Sequence, residues 1–281
     1  MYGNKYSMFL INPFIYGGGG GSSYLVDDYS PIVAYSVDKL SSTATVCCRV
    51  RRASDNAEQD FGFSGNRVDV TAIETFVGTG NKAFITKIYN QGTGGSTYDI
   101  TQTVAADQPT MLYSSLIPEF FMSQGGLTRE PPMILSSDLT FSDCFSVCKL
   151  IEQNTLNYIV GIESPISPAG GLLYNGSYAG VNGLSAIYDG NIPSLTGEDL
   201  NEHLGYFNMK SSKMYISKDG ASETDLGTFA TSLTVNRIGG RDISATGYME
   251  GYFKEMIFFN SDESANKTAI ETNINDRFSI Y

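Results

Sequence analysis

Apolar and β-branched residues recur along this chain in short runs, each bounded by glycine, asparagine or serine clusters. Ile32-Val33-Ala34-Tyr35-Ser36, Thr45 to Arg51 and Ala83 to Tyr89 are such runs, and they predict strands. Further strands are predicted near Phe145 to Ile151, Asn157 to Ile162, Gly183 to Tyr188, Leu204 to Met209, Lys213 to Ser217 and Val235 to Gly240. Lys218-Asp219-Gly220 supplies a tight turn. Gly251 to Asn260 is apolar on both faces, the pattern of an inner strand.

Two segments carry helical spacing instead. Asp69 to Gly78 reads as a short helix: Asp69 can cap it, Ile73, Phe76 and Val77 share a face, and Gly78 stands where a stop belongs. After Asp262, a second candidate cap, Ala265 or Asn266, Ile270, Ile274 and Phe278 recur along one stripe and predict a C-terminal helix. Strands dominate, so the predicted class is all-β: a two-sheet antiparallel jelly-roll sandwich with one short internal helix and a C-terminal helix. No internal repeat is visible.

One composition break divides the chain. Residues 1–16 are rich in aromatic and apolar side chains and run into a glycine-rich stretch, residues 17–23, that reads as a flexible tether. Residues 24–281 are expected to form the sandwich, a size at which a core can hold the chain without covalent staples. The first segment exposes Tyr6, Phe9, Leu10, Phe14 and Tyr16, more apolar surface than so short a peptide can bury by itself. It is therefore expected to anchor on a partner, with an edge strand packed on its own domain as the alternative. Asn12-Pro13 interrupts Met8-Phe9-Leu10-Ile11, so the pattern does not match a cleaved signal peptide, and no apolar run reaches membrane-spanning length.

Charge and residue usage narrow the chemistry. With 30 acidic against 18 basic residues the formal charge is −12, which opposes binding to a phosphate backbone. The basic exception, Arg49, Arg51 and Arg52, precedes Asp55, Glu58 and Asp60, and an intramolecular ion-pair cluster is expected there. The same loop offers hard oxygen ligands, which leaves a calcium site as the alternative to a polar turn. Cys47 and Cys48 point to opposite faces of a strand, and Cys144 and Cys148 are separated by about 13 Å of strand rise, so all four read as buried small residues. His203 is the chain's one histidine, expected at a strand edge, and it leaves no zinc set and only one possible base for a serine triad. No helix pattern or phosphate-binding lysine follows the glycine loop at Gln91 to Ser96. No cofactor is expected.

Arg49 to Gly62, Ile88-Tyr89-Asn90-Gln91 and Gly251 to Asn260 together resemble a concanavalin A-like (laminin G-like) jelly roll. They are similar to the sandwich domain of arabinofuranosidase B-type glycosidases and to domains of the same build in virion proteins of bacterial viruses. That resemblance implies a catalytic acid in a Gly-Gly-Asp turn and a nucleophile in a Leu-Glu-Asn-Gly run. Here those places read Gly239-Gly240-Arg241-Asp242 and Leu173-Tyr174-Asn175-Gly176, so arginine and tyrosine stand where the enzymes carry carboxylates. Glu163, Asp189, Asp199 and Glu250 are the other carboxylates weighed, with surface or turn roles expected for each.

Sugar recognition needs an aromatic face and a few polar partners, and Tyr174, Asn175, Tyr178 and Asp242 are the candidate set. For Tyr174 and Tyr178 the alternative is packing on a sheet face. The resulting expectation is a non-catalytic virion structural protein of a bacterial virus, a spike, fibre or capsid-decoration subunit at the virion surface. It would join other virion proteins through its N-terminal peptide, form a homo-oligomer such as a trimer, and bind a host surface glycan, with no nucleic acid and no membrane insertion. The alternative is a secreted glycoside hydrolase of the α-L-arabinofuranosidase type.

Overall fold

The computed structural model describes residues 24–113, 117–122, 132–151, 157–162, 170–173, 183–188, 193–196, 199–240 and 248–281. The described chain opens with a short helix, α1 (Leu25–Tyr29), and strand β1 (Val33–Ser36). Strands β2 (Cys48–Arg52) and β3 (Glu58–Phe61), the small hairpin β4 (Phe63–Ser64) and β5 (Arg67–Val68), helix α2 (Val70–Val77) and β6 (Ala83–Ile88) follow. Then come β7 (Ile100–Thr101), β8 (Thr110–Leu112), β9 (Glu119–Phe121), β10 (Met133–Phe141) and β11 (Asp143–Leu150). The chain continues through β12 (Tyr158–Gly161), β13 (Gly170–Leu173), β14 (Gly183–Tyr188), β15 (Ser194–Thr196), β16 (Glu202–Lys210), β17 (Lys213–Lys218) and β18 (Thr224–Thr228). It closes with β19 (Leu233–Ile238), β20 (Gly251–Phe259) and helix α3 (Lys267–Phe278).

Every strand pair described is antiparallel, and the pairs build two layers. One layer runs β3-β2-β6-β7-β10-β19-β12-β13-β14-β15. The other runs β18-β17-β16-β11-β20, with β1 and β9 sharing the far side of β20. β8 pairs with β6 on one side and β9 on the other, so the layers are hydrogen-bonded together at that margin. They also face each other: Phe141 of β10 meets Phe258 of β20 edge-on at 5.0 Å, and Tyr188 of β14 meets Phe229 at 5.7 Å. This is the expected all-β antiparallel sandwich.

The core explains the arrangement. Phe120, Phe141, Phe145, Phe207, Phe253, Phe258 and Phe259 are fully buried in one connected cluster, each contributing about 1.5–3 kcal/mol of transfer free energy. β20, predicted as an inner strand, has neighbours along both edges and keeps all but Tyr252 buried. All four cysteines are buried free thiols, and burial pushes the Cys144 and Cys148 thiols up.

Both predicted helices form, with one correction. Asp69 caps α2 by accepting from the Ala72 N–H at 2.9 Å, and Gly78 ends it at φ 86°. Asp262 does not cap α3, whose first turn starts four residues later at Asn266. Its carboxylate instead accepts from the Ser264 N–H at 3.0 Å and holds the turn ahead of the helix. Ile270, Ile274 and Phe278 are buried as the stripe predicts. α3 lies on the outer face of the second layer, where Glu255 of β20 meets Arg277 and Ser217 of β17 meets Glu271.

Candidate functional site

The positions at which the resemblance places catalytic chemistry follow β13 and β19. Both strands pair with β12 and so run in the same direction on either side of it. Val160 is level with Leu172 on one side and Ile238 on the other, and the described chain leaves both strands at one margin of the sheet. That margin is closely built. Gly239 donates to the Ile159 carbonyl at 2.8 Å and accepts from the Met249 N–H at 2.9 Å, and Gly240 bridges to Tyr248. The fully buried Asn157 accepts from the Glu250 N–H at 2.8 Å.

Gly239 is required at this turn. Its φ is +81°, and a Cβ there would lie 2.3 Å from the Met122 Cε. Gly171 on β13 is equally confined, since a Cβ would stand 2.6 Å from the Val160 carbonyl oxygen. The frame of the margin is thus fixed by glycines and by the Asn157 amide. Tyr174, Asn175, Tyr178, Arg241 and Asp242 lie outside the described residues, as do Tyr6, Phe9, Leu10, Phe14 and Tyr16.

Other ionisable groups are bound up in structure. Asp199 accepts from the Asn201 N–H at 2.7 Å and from its side-chain amide at 2.7 Å, and these bonds with that of His203 hold its carboxyl down to about 2. This is the expected turn role. Glu250 takes part in the margin described above, while Glu163 and Asp189 lie outside the described residues. His203 corrects the expectation of a strand edge: it is buried near the start of β16, which has β11 on one side and β17 on the other. Its ring nitrogens sit 2.7 Å from Asp219 and 2.9 Å from Asp199, and both contacts are satisfied together when the imidazole carries two protons.

Three buried clusters escape local sequence reading. Lys254 of β20 is paired with Glu202 of β16 and, at 3.3 Å, with Glu119 of β9, so two carboxylates share one cation. Glu255 accepts from Arg277 and, at 2.7 Å, from the Ser36 hydroxyl, beside an Arg67–Asp38 pair at 2.6 Å. Asp143 is fully buried and accepts from Tyr206, Asn208 and the Glu263 N–H. Burial pushes its carboxyl up to about 7 against those hydrogen bonds.

The arginine run behaves largely as expected. Arg49 pairs with Asp60 at 2.6 Å and Arg52 with Asp55 at 2.7 Å across the β2–β3 turn. Arg51 departs from the pattern: it is buried against the Phe84 ring and donates to Gln108 at 2.6 Å and Asn56 at 2.9 Å, both neutral amides. Asp55, Asn56 and Asp60 are thus engaged by arginines, and Glu58 accepts from the Thr86 hydroxyl at 3.3 Å. No metal-binding group occurs among the described residues. The Asn90-Gln91 motif is structural: Asn90 accepts from the Ala34 and Gly92 N–H groups, and Gln91 spans Leu40, Ser36 and Asp38.

No protein-family profile and no curated protein matches the chain. Among solved structures it is similar to a mutant GH54 α-L-arabinofuranosidase soaked with 4-nitrophenyl α-L-arabinofuranoside, at 13% identity and a TM-score of 0.59. That alignment covers 87% of this chain and 62% of the other, so this chain spans about three fifths of that enzyme's length. It is also similar to domain 4 of AbnA, an extracellular GH43 arabinanase from Geobacillus stearothermophilus in complex with arabinotriose, at 12% identity over 86% of this chain and 98% of that one, with a TM-score of 0.38. The Ruminococcus gnavus IT-sialidase CBM40 bound to α2,3-sialyllactose matches at 10% identity over 48% of this chain and 83% of that one, with a TM-score of 0.37. At such identity, the likeness to the arabinofuranosidase establishes a shared fold and nothing about chemistry.

Proposed function

We propose that this chain is a non-catalytic sandwich that recognises a glycan and is displayed on the surface of a bacterial virus particle as a spike, fibre or decoration subunit. One observation carries the non-catalytic part. β13 and β19 lead to one margin of the sheet, and the two positions that follow them, filled by carboxylates in the resembling glycosidases, are Tyr174 and Arg241 here. Without a carboxyl pair no acid faces a nucleophile across a sugar bond.

The same substitutions suit binding. Tyrosine supplies an apolar ring face with a polar tip, and Asn175 and Asp242 supply hydrogen-bond partners for sugar hydroxyls. Residues 1–16, joined through the glycine-rich stretch 17–23, would fasten the subunit to its neighbours in the particle, in a homo-oligomer such as a trimer. The second reading is an arabinofuranosidase-type hydrolase, an enzyme class with which the chain shares its fold. Glycan-array binding separates recognition from passive structure: the protein should bind a defined glycan set, and Tyr174→Ala should weaken that binding by about 1–3 kcal/mol, the scale of a truncated aromatic contact. Array binding unchanged by Tyr174→Ala would remove this site.

A further inference from the structure

A second surface shows the composition of a sugar site. Helix α2 and the strands β3 and β4 border a shallow, open cleft of about 630 Å³. Its walls carry one half-buried aromatic ring, Phe76, and a ring of short polar groups: Gln59 and Ser64 from the strands, Asp69, Thr71 and Thr75 from the helix side. Phe61 lies 5.5 Å from the Phe76 ring between centroids, and the Arg52 guanidinium sits over the ring at 4.7 Å.

The polar groups have hydrogen-bonding capacity to spare. Asp69 uses one carboxylate oxygen on the Ala72 N–H, and Thr75 donates its hydroxyl to the Thr71 carbonyl while keeping acceptor lone pairs. The Gln59 amide, the Ser64 hydroxyl and the Thr71 hydroxyl make no side-chain hydrogen bond among the described residues. These donors and acceptors line a space beside an aromatic ring, with no cation among the lining residues. Arg52 is already held by Asp55 and by the Phe76 carbonyl. An anionic ligand would meet Asp69 and find no counter-charge, whereas a hydroxylated neutral ring can pair with each group and lay its C–H face toward Phe76.

We propose that this α2 cleft binds a neutral saccharide unit, as a site separate from the margin of β13 and β19. It shares a ligand class with the proposed function but none of its residues, so either can fail alone.

The test is an amide-resolved NMR titration of the full chain with three neutral probes at millimolar concentration: arabinotriose, xylotriose and maltotriose. The expected result with at least one probe is saturable shifts at the Gln59 side-chain amide and along residues 71–76. Phe76→Ala and Gln59→Ala should each weaken them about tenfold, while Tyr174→Ala leaves them unchanged. Gln59 is exposed, so its variant keeps the test decisive if Phe76→Ala unfolds. Absence of shifts in the cleft with every probe, or shifts that Gln59→Ala leaves intact, would overturn the proposal.

Discussion

Arg277, in the last turn of α3, donates from both terminal guanidinium nitrogens to the two carboxylate oxygens of Glu255, one of the contacts measuring 2.7 Å. Glu255 is fully buried in β20, so this pair clamps the C-terminal helix onto the centre of the second layer. Removing one partner strands a buried charge. Arg277→Ala is expected to cost about 3–5 kcal/mol in urea-induced unfolding, and the double change Arg277→Met with Glu255→Met much less. Equal loss in the single and double variants would show that the pair is not what holds the helix.

Asp143 sets a pH dependence of defined sign. Its carboxyl titrates at about 7 when folded and near 3.8 when unfolded, so the folded state keeps a proton that the unfolded chain gives up. The contribution is therefore fully present below about pH 4 and lost as pH rises through 7. At roughly 1.4 kcal/mol per unit it amounts to about 4 kcal/mol as an upper figure. Unfolding of wild type and Asp143→Asn, compared from pH 4 to 8, should show the difference shifting in favour of the asparagine variant as pH rises. A constant difference would contradict the assignment.

Gly239 fixes the margin beside the candidate site. Gly239→Ala meets both an unfavourable φ of +81° and the Met122 side chain, and should lower stability by about 1–3 kcal/mol in thermal unfolding. Adding Met122→Ala should not restore wild-type stability, because it relieves the clash only by opening a cavity and leaves the backbone strain. Wild-type stability in Gly239→Ala alone would mean that the turn adjusts freely.

What the sequence reveals depends on the range of the interaction. α2 is legible because Asp69, its apolar face and Gly78 all lie within one short stretch, and β20 is legible because its residues are apolar on both sides. β3 is not, since Glu58, Gln59 and Asp60 are all exposed on a strand at the sheet's edge, where charge replaces alternation. β10 is hidden by Ser136-Ser137-Asp138, which occupy a register shift between Ile134 and Leu139. The ionic clusters are illegible for a different reason: Ser36 and Glu255 are 219 residues apart, and Asp143 and Glu263 are 120 apart. Of the candidate site, the sequence pattern locates the strands β12, β14 and β19 near it, and the structure adds that β13 and β19 reach one margin.

The N-terminal segment is expected to act as an anchor. Deleting residues 1–21 should leave a folded domain with an unchanged melting temperature that no longer joins the proposed particle, since five consecutive glycines are a poor way to join two parts of one core. A clear fall in melting temperature would place the peptide within the sandwich instead.

Hydrolysis of 4-nitrophenyl α-L-arabinofuranoside tests most directly the proposal that the sandwich lacks a working pair of carboxylates. The rate of nitrophenol release should equal the uncatalysed rate, for wild type and for Asp242→Asn alike, because Arg241 and Tyr174 stand where the resembling glycosidases carry their acid and their nucleophile. Turnover by the wild type that disappears in Asp242→Asn would show a live hydrolytic site and contradict the account.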